Sequence, residues 1–163
     1  MAIRKQAAGG EADIPLLVAM LKFASLISRP MRDGVADPAG FSSNELRILM
    51  AVTGEGESAG HDLAELMGMQ AMNVSRALAT LLSMGLVEQA ENSANRRRKP
   101  YRTSKKGHEA YRSLEPRIAE IAQFLFGALT SQERIQLRKI LGKLERRVLA
   151  WEPSVRQPHV PRA

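Results

Sequence analysis

Seven cations crowd between Arg96 and Lys106: Arg96, Arg97, Arg98, Lys99, Arg102, Lys105 and Lys106, with no acid among them. Like charges packed this densely repel one another, so the run is either a solvated tail or a surface that suits a polyanion. Just upstream, from Met67 to Val87, there is no Asp or Glu at all. That stretch contains Asn73 and Arg76, two side chains able to read base edges. Arginine can bond guanine O6 and N7 together, and asparagine can do the same for adenine N6 and N7. Ser75 and Thr80 add short hydroxyls suited to phosphates or bases, and Met72 lies one residue before Asn73.

The whole chain shares this bias. Its 163 residues carry 24 Lys and Arg against 17 Asp and Glu, a net charge of +7, with a pI near 10.2. Such a surplus speaks about partners: nucleic acid first, an acidic membrane surface second. There is no cysteine, which excludes disulfides, cysteine-ligated zinc and thiol redox chemistry. The three histidines, His61, His108 and His159, are scattered, and no nucleophile–base pair, paired carboxylates or metal-ligand spacing accompanies them. The expectation is a protein that is not an enzyme and has no metal or cofactor. The opening MAIRKQAAGGEAD lacks the apolar run of a signal peptide. No apolar stretch is expected to reach the ~18 residues that span a bilayer, so the chain is expected in the cytoplasm and not in a membrane.

The acid-free stretch must be presented by defined elements. A short helix is predicted from about Gly60 to Met67, with Leu63, Leu66 and Met67 inward and Gly68 ending it. A second helix follows, roughly Ala71 to Met84. At 100° per residue, Val74, Ala77, Leu78 and Leu81 fall on one side, leaving Met72, Ser75, Arg76, Ala79, Thr80 and Ser83 on the other, with Asn73 at the margin. Gly85 followed by Leu86 has the pattern of a Schellman cap. Leu86–Ala90 reads as a strand, Asn92–Asn95 as a turn, and Lys99–Thr103 as the return strand. Pro100 cannot donate to a central ladder, so this ribbon is expected at an exposed edge. The cations then lie on the tip of a hairpin directly after a groove-shaped helix. Two adjacent helices and a charged hairpin make a winged helix-turn-helix.

Around this unit the sequence predicts longer helices. Residues 1–11 have little to bury and are expected to be disordered, and a first helix is expected from Asp13, with Pro15 in its first turn, to Arg29 before Pro30. Ile14, Leu17, Val18, Leu21 and Ala24 form one apolar stripe and Leu16, Met20, Phe23 and Ile27 a second. A helix apolar on most sides is enclosed, by a second subunit or as the central helix of a monomeric bundle. Residues 30–40 read as a loop, and Ser42 with Glu45 offers a capping box for a helix to about Thr53, followed by the turn GEGES. From Ser104 a long helix is expected, kinked or interrupted at Pro116. Thr130 and Glu133 form a second capping box, opening a last helix with Ile135, Leu137, Ile140, Leu141, Leu144, Val148 and Trp151 on one side. Residues 152–163, with three prolines, are expected to be a disordered tail.

With these pieces in order, the chain resembles a MarR-type transcriptional regulator over about residues 12–150. The resemblance is carried by Leu63-Ala64, Leu66-Met67-Gly68-Met69, Asn73-Val74-Ser75-Arg76, Gly85-Leu86-Val87, the basic hairpin, and Thr103-Ser104 with Gly107. It implies a mainly α (α+β) fold: a winged helix-turn-helix with N- and C-terminal dimerisation helices. Residues 12–41 would supply the first helix of the dimerisation region and its loop, 42–107 the DNA-binding lobe, and 108–151 the C-terminal dimerisation helices. The dimer interface would include Leu16, Met20, Phe23, Ile27, Leu141, Leu144 and Val148. Met72, Asn73, Ser75, Arg76 and Thr80 would form the recognition surface, with Arg96, Arg97, Arg98 and Lys99 on the wing. Where the family's wing has Asp-x-Arg this chain has Asn95 and Arg97, and Gln70 stands where a small hydroxyl residue usually caps the recognition helix.

The implied function is sequence-specific binding of a pseudo-palindromic double-stranded DNA operator by a homodimer, as a repressor relieved by a small aromatic or phenolic carboxylate-like effector. No ligand-binding residue can be assigned; Arg29 and Arg32 could serve a ligand or pair across a dimer. The eight methionines fit core filling better than a pliable pocket. The alternative is a winged-helix scaffolding module without specific DNA binding.

Overall fold

The computed structural model describes residues 8–90 and 100–151, with side chains from Asp13 onward. The expectations of disorder at the amino terminus before Ala8 and in the tail after Trp151 lie outside the described residues. So do the turn Asn92–Asn95 and the wing cations Arg96, Arg97, Arg98 and Lys99.

Helix α1 spans Ala8–Met31. It begins before Asp13, which leaves Pro15 inside the helix rather than in its first turn. It also passes through Pro30 and continues as a π-helical turn, Arg32–Ala36, and a 3-10 turn, Asp37–Ala39. The expected break at Arg29 and the loop over 30–40 are therefore both corrected. The bias of a pre-proline residue against helix is a preference, and burial outweighs it here. The added turns carry Val35 and Ala36 into the core, each fully buried. Gly40, at φ 75°, then turns the chain, with Phe41 N–H donating to Ala36 O at 2.9 Å.

Helix α2, Ser43–Glu55, starts at the expected capping box: Ser42 Oγ accepts from Glu45 N–H, and Glu45 Oε2 accepts from Ser42 N–H at 2.7 Å. Its inner face supplies Leu46, Ile48, Leu49 and Val52. The segment read as a turn contains a strand, β1, Ser58–Ala59. Helices α3, Gly60–Met67, and α4, Ala71–Ser83, follow. Leu63 is buried, but Leu66 is exposed, against expectation. An eight-residue helix presents only a narrow inward face, which Leu63 occupies with Ala64 and Met67 partly buried beside it. Val74, Ala77, Leu78 and Leu81 of α4 are buried as the periodicity requires.

Both helices end on glycine in the left-handed region, Gly68 at φ 58° and Gly85 at φ 71°. After α4, Leu86 N–H reaches Leu81 O and Gly85 N–H reaches Leu82 O, both at 2.9 Å, which is the Schellman pattern. Strands β2, Val87–Gln89, and β3, Pro100–Thr103, complete an antiparallel sheet of order β1-β3-β2. The strand bearing Pro100 is thus central, not at the edge. Its proline gives up one donor, and the Pro100 carbonyl still accepts from Ala90 N–H at 3.0 Å.

Helix α5, Lys105–Phe126, runs through Pro116 without interruption. Arg112, Glu115, Pro116 and Arg117 are all exposed, so the carbonyl that the proline leaves unbonded lies on the wet side of the helix. Leu114 is buried against the core, and Ile118 and Ile121 pack on it. The chain divides into two compact units, one ending at Gln123 and one beginning at Phe124. The second contains α6, Ser131–Leu149, opened by the Thr130–Glu133 capping box.

From Asp13 to Leu26 every residue of α1 is exposed. The helical stretch Asp13–Ala39 is also long and apolar enough, by length and composition, to meet the criterion for a membrane span, with a mean hydropathy of 1.4. This overturns the expectation that no segment would reach that length.

Candidate nucleic-acid interface

Four elements hold the outer face of α4 in place. Helices α2 and α3 pack behind it, and the sheet and the start of α5 grip its carboxyl end. Arg47 of α2 donates from Nη2 to Met67 O at 2.7 Å, so a cation closes the carboxyl terminus of α3. Lys106 does the same for α4, its Nζ 2.7 Å from Met84 O. Ser104 donates to Gly85 O at 2.6 Å and accepts from Gly107 N–H at 3.0 Å, and its own N–H reaches Leu86 O at 3.0 Å. One residue therefore caps α5 and ties it to the turn after α4. Thr103, on β3, shares a 3.0 Å hydroxyl–hydroxyl bond with Thr53 of α2. Gly107 is buried where any Cβ would collide with the Leu86 carbonyl oxygen and lie 2.8 Å from Thr103 Cγ2. Thr103, Ser104 and Gly107 together form the seam that locks α5 to the sheet and to the end of α4.

On the outer face, Met72, Ser75 and Arg76 are exposed, Met72 at 60%. Asn73 is half-buried at the margin, where the periodicity placed it. Thr80 is also half-buried, and its hydroxyl is engaged by Arg76 O at 3.2 Å, so it is the least available of the five. Gln70 makes no side-chain cap to α4, whose first turn holds no acid. The described surface of α4 is therefore short-chained, polar and without negative charge, as the sequence indicated.

The cations that follow the hairpin tip are not all outward. Lys106 is committed to α4, and Arg102 lies 2.7 Å from Glu88 and 3.6 Å from Glu57. Two of the seven cations thus serve the protein itself. Arg47, the bonds that Ser104 makes and the acids paired with Arg102 were missed in the sequence. Their partners are main-chain oxygens or residues on other strands, which no local spacing reveals. Arg29 and Arg32 both pair with Asp33, at 3.4 and 2.8 Å, and hold its carboxyl below the usual range, chiefly through the Arg32 hydrogen bond.

The residues expected at a dimer interface are uncovered. Leu16, Met20 and Phe23 are exposed on α1 and Ile27 is half-buried. On α6, Leu141, Leu144 and Val148 are exposed. Among the described residues no group of three His, Asp or Glu side chains could hold a metal ion.

A helix-turn-helix backed by a third helix and followed by a β-hairpin on a three-stranded sheet defines the winged helix-turn-helix class. The MarR family model matches residues 39–98. That match spans 60 of the 163 residues, and the fold is like that of solved MarR-family regulators. A MarR-family regulator from Silicibacter pomeroyi superposes with a TM-score of 0.72 at 22% identity, covering 87% of this chain and 94% of that one. BpsR of Bordetella bronchiseptica, whose DNA binding is regulated by 6-hydroxynicotinic acid, gives a TM-score of 0.67 at 17% identity, covering 80% and 98%. NadR in complex with 4-hydroxyphenylacetate gives 0.66 at 19% identity, covering 82% and 92%. Among curated protein sequences none matches the chain.

Proposed function

We propose that this chain is a homodimeric, cytoplasmic regulator that binds a pseudo-palindromic operator in double-stranded DNA as a repressor, and releases it on binding a small aromatic or phenolic carboxylate. The observation that carries the reading is the exposed, acid-free face of α4, clamped at its carboxyl end by Ser104 and Lys106. Such a face lies in a major groove without repelling phosphates. Arg76 and Asn73 read bases, Met72 lies beside them, and Ser75 with Thr80 completes the contact surface. Arg97 enters the adjacent minor groove, where the negative potential is strongest over A·T-rich sequence. Arg96, Arg98 and Lys99 bind phosphates.

The uncovered apolar residues of α1 and α6 support a second copy as the partner. In a dimer the two recognition helices meet half-sites about 10 bp apart, centre to centre. A ligand that prefers another spacing lowers affinity without touching DNA. A ~100-fold loss takes a coupling of about 2.7 kcal/mol. The likeness to NadR and BpsR supports a hydroxylated aromatic acid as that ligand.

The test is a binding titration of the full chain against DNA upstream of its own gene and against an unrelated duplex, across salt. Neutralising about eight phosphates gives a slope of log K on log[salt] near −7. Addition of 4-hydroxyphenylacetate or 6-hydroxynicotinate should weaken the specific complex alone. Equal affinity for both duplexes, or a flat salt response, refutes the reading. Unchanged regulation in cells carrying Arg76→Ala with Arg97→Ala would favour a scaffolding module.

A further inference from the structure

Arg102 stands on the central strand β3, and its guanidinium reaches both neighbouring strands. Its Nε donates to Glu88 Oε1 at 2.7 Å; Glu88 is its direct register partner on β2. Its Nη1 is 3.6 Å from Oε1 of Glu57, the residue just before β1. One cation therefore ties all three strands together on the solvent side of the sheet. The strands are short, at two, three and four residues, and Pro100 removes one donor from the central one. Among the described residues the ladder between β2 and β3 pairs only three positions.

We propose that Glu57, Arg102 and Glu88 form a staple that orients the stem of the wing, so that two acids on the DNA-binding lobe strengthen its grip on DNA. The inference rests on the DNA-binding reading above. Two carboxylates and one guanidinium sum to one negative charge, which by Coulomb's law alone weakens binding to a polyanion. Replacing either acid by its amide should then tighten the complex. If the acids hold Arg102 in place across the sheet, the same replacement weakens it. The strands of the stem then lose the tie that crosses them.

Each pair is about half exposed, where ion pairs contribute little singly, so the effect is carried by the three groups acting together. The experiment is DNA titration of the full-length protein and its Glu57→Gln, Glu88→Gln, Arg102→Met and Glu88→Gln/Arg102→Met variants, across salt. Amide hydrogen exchange of the free proteins is followed in parallel.

The expected result is binding about threefold to fivefold weaker for Glu88→Gln, the scale of a coupled surface ion pair. The salt slope should be shallower by about one phosphate contact, and the double variant should be no weaker than Arg102→Met. Amides of β2 and β3 should exchange faster in Glu88→Gln while those of α2 and α4 do not, a pattern that general destabilisation would not give. Tighter binding by both amide variants overturns the proposal. Unchanged exchange in the strands overturns it as well, whether or not the protein binds DNA. Absence of salt-dependent DNA binding by the unaltered protein, with faster strand exchange in the variants, would sink the DNA reading and leave the staple standing as a device of the fold.

Discussion

Replacing Gly107 by alanine gives the sharpest check on the seam between α5 and the sheet. In an ordinary helix this change stabilises by up to about 1 kcal/mol, since alanine is the better helix former. Here the new methyl would fall on the Leu86 carbonyl oxygen, 2.8 Å from Thr103 Cγ2. Neither neighbour can give way cheaply. Leu86 is held by its 2.9 Å bond to Leu81 O, and Thr103 by its bond to Thr53 and its pairing with Val87. Relief requires the start of α5 to back away, which stretches Ser104 N–H to Leu86 O and Ser104 Oγ to Gly85 O. Two such bonds contribute about 1 kcal/mol each, and overpacking costs about 1–3 kcal/mol. After the helix gain is subtracted, the net loss is about 2–4 kcal/mol. Urea unfolding should show a lower midpoint at an unchanged slope, and the thermal midpoint should fall by roughly 10 °C. Gly54→Ala is the control: it lies in α2, where an added Cβ meets nothing within 4 Å. It should stabilise by about 0.5 kcal/mol. A Gly107→Ala protein as stable as the parent would show that the close approach of α5 is wrong.

Four further outcomes are expected. Ser104→Ala removes a helix cap together with the bond to Gly85 O, and should cost about 1–2 kcal/mol in urea unfolding. Leu16→Asp with Phe23→Asp should give a monomer by sedimentation without loss of the far-ultraviolet helix signal beyond α1. Glu133 is held below its ordinary value near 4.5, first by the Thr130 backbone N–H and then by the Thr130 hydroxyl. Its folded pKa is the lower one, so its contribution is complete above about pH 4.5 and is lost as pH falls through the folded value. The thermal midpoints of the parent and Glu133→Gln should therefore converge on acidification, and a gap constant with pH would refute the assignment. Asp33 is shifted the same way by Arg32, so Asp33→Asn should narrow its own gap only below about pH 3.8.

Much of the positioning machinery could be read from the chain because it is local. The capping boxes at Ser42 and Thr130, the Gly68 and Gly85 stops and the inward stripe of α4 are each settled within about one turn of helix. Where the reading failed, distant partners decided. Strand β1 is two residues long and has no periodicity to detect; it exists because β3 lies beside it. Pro100 suggested an edge strand, yet β3 lies between β1 and β2 and its Pro100 carbonyl still takes a bond from Ala90. Pro30 suggested a stop, and the burial of Val35 and Ala36 outweighed it. The cation run was legible as charge, but the division of labour between Arg102 and Lys106 was not. Arg102 and Lys106 are drawn to a pair of acids and to a helix end that lie far away in sequence. For α1, the apolar wrap was legible as something needing cover, and Leu16, Met20 and Phe23 are exposed.

The passage from α1 into the lobe has no slack. From Ala8 the chain remains coiled through the wide turn Arg32–Ala36, whose Val35 and Ala36 are anchored in the core. At 1.5 Å per residue, the 24 residues of α1 make an arm of about 36 Å pivoted on that turn. Tilting such an arm by a mere five degrees or so would swing its free end roughly 3 Å, on the same 1.5 Å rise. Leverage of this kind works in both directions, so a small adjustment wherever α1 is gripped arrives at the lobe as a turn of the whole body.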